Sequence, residues 1–114
     1  MERERPQPDE HVAWVFGSLR EPIRRLFSRI KASEQELEGL EKDLYAWFLR
    51  LSRRPGCGAL PDKAMQATLL IGAVELMRKV AALKNYPVPF VPQDVRELAR
   101  ELGFDLEASE DSRS

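Results

Sequence analysis

The sequence predicts an all-α protein: a small helical bundle of three long helices plus a short C-terminal helix, joined by a proline-rich strap. Apolar residues recur at a spacing near 3.6 over three long stretches, a capping-box pattern precedes the second stretch, and no alternation of period two persists. With 114 residues, 43% of them hydrophobic, the chain suits a single core. We expect a flexible lead-in at residues 1–8, one helical domain at 9–104 and an acidic, disordered tail at 105–114.

The first predicted helix follows Asp9, which we expect to cap it. Pro22 falls inside the helix and allows two interpretations, between which the sequence does not choose. In the first, Pro22 bends or breaks one continuous helix. In the second, Glu21 and Pro22 begin a new helix, in whose first turn the missing N–H of proline costs nothing. The apolar face continues through this point and comprises Val12, Val15, Phe16, Leu19, Ile23, Leu26, Phe27 and Ile30.

The second predicted helix spans Ser33 to Arg54. Ser33 and Glu36 have the spacing of a capping box, in which each side chain accepts a hydrogen bond from the backbone N–H of the other. Acidic residues lie early in this helix and basic residues late, as the helix dipole favours. The run Pro55-Gly56-Cys57-Gly58 ends it.

The second half of that helix is apolar around most of its circumference. One stripe at helical spacing comprises Leu37, Leu40, Leu44, Trp47, Phe48 and Leu51. Tyr45 and Leu49 point away from this stripe, so a second surface must cover them. Either this helix is central in the bundle, or part of it is buried against another chain.

The third predicted helix begins at Pro61-Asp62 and ends near Asn85. Apolar residues cover about half its circumference, so we expect it to be the central helix. They are Met65, Leu69, Leu70, Ala73, Val74, Leu76, Met77, Val80, Ala81 and Leu83. Gly72 and Ala73 form a small-residue notch where a neighbouring backbone can come close.

Three prolines in Tyr86–Pro92 force an extended segment, which we call the proline strap. We expect its residues Tyr86, Phe90 and Val91 to pack across the bundle; the alternative is that the PxxP spacing of Pro89–Pro92 docks in an aromatic groove of a partner. The final helix is predicted over Gln93–Leu102. Gly103 then suits a C-terminal cap.

No motif predicts catalysis, a metal site or a cofactor. His11 is the only histidine, and Cys57 has no histidine nearby in sequence, so we expect neither to be catalytic or a metal ligand. Trp14, Trp47 and Phe48 suit a stacking platform for single-stranded bases, but aromatic residues on an apolar helical face more often belong to the core. We therefore expect a non-enzymatic protein.

Arginine clusters are the one local charge feature in a chain whose net charge is -1. The candidate nucleic-acid contacts are Arg20, Arg24, Arg25, Arg50, Arg53 and Arg54. They can contact phosphates, or they can form a solvated helical face paired with nearby glutamates, which is the commoner case.

The sequence therefore favours an adaptor or small structural subunit that self-associates or docks in a larger complex. A small nucleic-acid-binding or ribonucleoprotein subunit is the alternative. The candidate protein interface comprises Tyr45, Leu49, Leu70, Val74 and Met77. A single cysteine and the lack of a signal peptide or membrane span lead us to expect a cytoplasmic protein with a protein partner and no membrane association.

Overall fold

The computed structural model describes residues 8–54 and 62–106, and these residues form five α-helices and a short 3₁₀ turn, without a β-strand. The helices are α1 (Pro8–Ser18), α2 (Arg20–Phe27), α3 (Glu34–Ser52), α4 (Asp62–Leu83) and α5 (Val95–Glu101); the 3₁₀ turn, Ser28–Ile30, follows α2. The all-α prediction is confirmed. The described helices include two long ones, α3 with 19 residues and α4 with 22, because the first predicted helix is divided into α1 and α2.

The division falls at Leu19, just before Pro22. α1 ends at Ser18 and α2 begins at Arg20, which places Pro22 in the first turn of α2. The Ile23 N–H donates to the Leu19 carbonyl over 2.9 Å and so closes that first turn. The structure therefore agrees with the interpretation that a new helix begins near Pro22. In the first turn of this helix no N–H is needed from proline.

The start of α3 has the predicted capping box. The Glu36 N–H donates to Ser33 Oγ over 3.2 Å, and the Ser33 N–H donates to Glu36 Oε1 over 2.9 Å. The prediction that Asp9 caps the first helix was wrong, because α1 begins at Pro8 and Asp9 lies inside the helix rather than before it. A proline is well suited to the first position of a helix, where no intrahelical partner exists for an N–H.

A residue in the left-handed conformation follows the end of α4 and the end of α5, two positions after the last helical residue in each case. Asn85 has φ 59° after α4, and Gly103 has φ 90° after α5. After α5 the Phe104 N–H donates to the Ala99 carbonyl over 2.8 Å, which is the long hydrogen bond of a Schellman motif. The prediction that Gly103 caps the final helix is confirmed.

α4 is the central helix, as predicted, since it packs against each of α1, α2, α3 and α5. The largest fully buried side chains in the helices come from α2, α3, α4 and α5 and include Ile23, Phe27, Leu44, Phe48, Leu69, Leu70, Met77 and Leu98. Leu19, between α1 and α2, is also fully buried, and α1 adds Val12 and Val15 to the same core. Leu106 is buried in the same core. The packed domain thus extends past the boundary predicted at residue 104, and the tail beyond Leu106 lies outside the described residues.

α3 and α4 meet at the predicted notch, which a side chain occupies instead of a backbone. A Cβ atom added to Gly72 would lie 2.6 Å from Cη2 and 3.1 Å from Cε3 of Trp47. The indole of Trp47 therefore lies directly on the backbone of α4. A residue with a side chain at position 72 would displace it.

Gly72→Ala and Gly39→Ala test this contact as a matched pair. At Gly39, in α3, no described atom beyond the adjacent helix backbone lies within 4 Å of an added Cβ, so alanine should raise the free energy of unfolding by about 1 kcal/mol. At Gly72 alanine brings the same gain in helix propensity, but its side chain displaces Trp47. We therefore expect the free energy of unfolding to rise by less than at Gly39, or to fall. Urea unfolding measures both values. Trp47 emission, read in a Trp14→Phe background, should shift to longer wavelength in Gly72→Ala only, and equal stabilisation with unchanged emission would contradict the contact.

Candidate functional site

Three of the five residues predicted to form a protein interface lie in the core. Leu70, Val74 and Met77 are buried against the neighbouring helices, so they offer no surface to a partner. This corrects the prediction. The reason is the central position of α4, which buries more of its circumference than a peripheral helix would bury.

The other two predicted interface residues, Tyr45 and Leu49, are half-buried and pack against the core from α3. The ring of Tyr45 meets the ring of Phe16 in α1 edge to face, with 5.4 Å between centroids and 81° between planes. α1 therefore supplies the second surface that the sequence required for this side of α3. On the other side, Trp47 packs on Gly72 of α4.

An apolar hollow of about 440 Å³ lies between α3 and α4. We call it the α3–α4 groove; its walls are Asp43, Leu44, Trp47, Thr68, Ile71, Gly72, Glu75, Leu76 and Lys79. Ile71 stands at its edge with 53% of its surface exposed. Ile71 was not among the residues predicted to lie at an interface, although it is a large apolar residue outside the predicted apolar face of its helix.

Three charged residues line the α3–α4 groove. Asp43 comes from α3, and Glu75 and Lys79 come from α4. Glu75 approaches Arg78 at 3.9 Å, one turn further along α4, which is an ordinary exposed pair of small energetic value. The groove thus combines apolar walls with charges of both signs.

The arginines of α2 contact acidic groups of α3. Arg24 Nε donates to Glu41 Oε2 over 2.7 Å, its Nη1 donates to Glu34 over 3.0 Å, and Arg20 Nε lies 3.4 Å from Glu41. Glu41 is buried. Burial by itself would raise the pKa of Glu41, but the hydrogen bonds and charges of Arg24 and Arg20 outweigh it and hold this pKa below its usual value.

Two further arginines on this side of the molecule reach the C-terminal part of the chain. Arg25 Nη1 donates to the Leu102 carbonyl over 2.7 Å, and Arg29 Nη2 donates to Glu101 over 3.0 Å. The basic residues of this segment therefore contact protein acceptors. This arrangement agrees with the interpretation of the cluster as a helical face paired within the chain.

The remaining candidate nucleic-acid residues lie at the C-terminal end of α3. There a second hollow of about 380 Å³ is lined by Trp47, Arg50, Leu51, Arg53 and Arg54. Trp47 lines both this hollow and the α3–α4 groove. Positive charge and an aromatic surface are thus adjacent at this end of the helix.

The aromatic residues are distributed differently from the prediction. Phe48 is in the core as expected and Trp47 is half-buried, but Trp14 has 55% of its surface exposed. The Trp14 ring stacks on His11, one turn earlier in α1, with 6.3 Å between centroids and 23° between planes. The expectation that Trp14 is core was wrong, because it lies on the side of α1 that faces away from the bundle.

Phe90 is also more exposed than predicted. Val91 is buried and Tyr86 is half-buried, as expected for the proline strap, but 83% of the surface of Phe90 is exposed. Neighbouring side chains in an extended segment point to opposite sides. Because Val91 points into the core, Phe90 points out.

Within the described part of the chain, no three side chains of the histidine, cysteine, aspartate and glutamate types come together as a metal site would require. Cys57 lies outside the described residues. None of the described helices has the length and apolar character needed to cross a bilayer. Comparison with protein-family models, curated proteins and solved structures gives no match to this chain.

Glu41→Gln tests the charge network between α2 and α3. Because the pKa of Glu41 is lower in the folded protein, its contribution to stability is full above the unfolded value, near 4.5, and is lost as the pH falls through the lowered pKa. At pH 7 the substitution should reduce the free energy of unfolding by about 2 kcal/mol. This difference from the parent should shrink in acid. Glu38→Gln, at an exposed position of the same helix, is the control. A pH-independent difference for Glu41→Gln would contradict the assignment.

Proposed function

We propose that this chain is a non-enzymatic adaptor or small structural subunit that acts by protein–protein association through the α3–α4 groove. The observation that carries this proposal is the half-exposed Ile71 beside an open apolar hollow of about 440 Å³. A single exposed apolar residue is normal on a protein surface. An exposed apolar residue at the edge of an apolar hollow enlarges a continuous apolar patch, and such patches mark interaction sites.

The composition of the groove supports the same proposal. Tryptophan is enriched at the energetic centres of protein interfaces, where a large ring packs in a site that excludes water. Trp47 has one face held against Gly72, so little conformational freedom is lost if a partner covers the rest of the ring. The charged residues Asp43, Glu75 and Lys79 suit the polar rim that surrounds such a centre.

The proposed surface differs from the one predicted from sequence, although the class of function is the same. Tyr45 and Leu49 pack on the protein's own core, so they contribute less exposed area than their positions on the helix indicated. The α3–α4 groove replaces them.

Nucleic-acid binding has less support than protein association. Arg20 and Arg24 pair with acidic groups, and Arg25 donates to a backbone carbonyl, so contact with phosphates would have to compete with these bonds. The basis of this alternative is the hollow that Arg50, Arg53 and Arg54 line together with Trp47. Phosphate contacts would make any such binding fall steeply with salt.

Site-specific photocrosslinking tests the proposed function. A photoreactive amino acid placed at Ile71 should give covalent adducts with protein in cells that produce this chain. The matched control is the same amino acid at Trp14, which has an almost equal exposed fraction, 55% against 53%, but lies on α1 outside the groove. We expect adducts several-fold more abundant from position 71. Equal yields at the two positions, or none from position 71, would refute the proposal.

A further inference from the structure

The exposed side of α4 carries charges arranged symmetrically about Met77. Glu75 lies two residues before Met77, and Lys79 lies two residues after it. Both charged side chains are on the exposed side of the helix, whereas Met77 is buried beneath them. An acidic and a basic residue at equal distances from one point make this stretch of helix complementary to itself when it is reversed.

The apolar residues around these charges have the same symmetry. Ile71 lies six residues before Met77 and Leu83 six residues after it; Gly72 lies five before and Ala82 five after. Leu83 is among the most exposed large apolar residues described, with 82% of its surface accessible. Large apolar residues thus occupy both ends of the exposed face, and a small residue stands beside each.

Two α-helices related by a two-fold axis run antiparallel when the axis is perpendicular to both, and residues equidistant from the axis then lie at the same level. With the axis level with Met77, Glu75 of each copy faces Lys79 of the other. This gives two identical ion pairs at the centre. A parallel pair in the same register would instead set Glu75 against Glu75 and Lys79 against Lys79.

The helical rotation decides which apolar residues meet. At 3.6 residues per turn, Ile71 and Ala82 lie along one edge of the exposed face, and Gly72 and Leu83 lie along the other. In the antiparallel pair each edge meets the same edge of the second copy. Leu83 of one copy therefore lies level with Gly72 of the other, where Trp47 covers the glycine and the α3–α4 groove opens beside the indole. Ile71 similarly meets Ala82.

We propose that α4 packs antiparallel against α4 of a second copy of this chain, with Leu83 of each copy seated in the α3–α4 groove of the other. The inference rests on the proposed function and identifies its partner. Charge complementarity favours this occupant, since the helix that forms one wall of the groove also carries the charges and the apolar side chain that the groove requires. The resulting interface is isologous and closes at two copies.

Charge reversal at the two central positions tests the inference with the purified full-length chain. Sedimentation equilibrium should give a dimer for the parent. Glu75→Lys and Lys79→Glu should each raise the dimer dissociation constant about tenfold or more, because one substitution places like charges together at both symmetric contacts. An equimolar mixture of the two variants should again form a dimer, since two lysines of one chain then face two glutamates of the other.

The control is Glu97→Lys, the same charge change at an exposed position of α5, which should leave the dimer unchanged. Circular dichroism should show every variant folded, since all three positions are exposed. A dimer that the mixture does not restore would overturn the pairing of α4. If the parent chain stays monomeric at its highest attainable concentration, the inference that the partner is a second copy of this chain is refuted. The crosslinks from position 71 would still decide the proposed function, because an adduct of any other mass reports a different protein.

Discussion

The packing of α4 against every other described helix is the constraint on which the rest of the structure depends. A helix surrounded on several sides must be apolar over most of its circumference, and its buried residues then fix the positions of α1, α2, α3 and α5. The part of α4 that stays exposed is a narrow face. Packing within the chain does not determine which residues occupy it. The proposed association uses this face because it is the part of α4 that the bundle leaves uncovered.

The contact of Trp47 with Gly72 links this core to the α3–α4 groove. A glycine in the middle of a helix lowers helix propensity by about 1 kcal/mol, and here it permits the indole to lie against the helix backbone. The large ring holds α3 and α4 at the distance its own thickness requires, and a hollow opens beside it. The groove is thus a consequence of how one aromatic residue is packed between two helices.

Charged residues connect elements that apolar packing alone would leave free to shift. Arg24 and Arg20 join α2 to α3 through Glu41, while Arg25 and Arg29 join the same segment to the end of α5. The chain thereby uses most of a basic cluster internally. Four arginines of α2 and the 3₁₀ turn are therefore bound to acceptors within the chain.

The sequence by itself determined the all-α class and several of the helix ends. The capping box at Ser33, the left-handed Gly103 and the apolar face from Val12 to Ile30 depend on residues within about one turn of each other, so local pattern was sufficient to predict them. Only the tertiary structure decided which apolar residues are covered. Leu70 is buried and Ile71, its neighbour, is half-exposed, and the pairing of Glu41 with Arg24 joins residues 17 positions apart. These outcomes depend on where neighbouring helices lie, which one helix's periodicity does not specify.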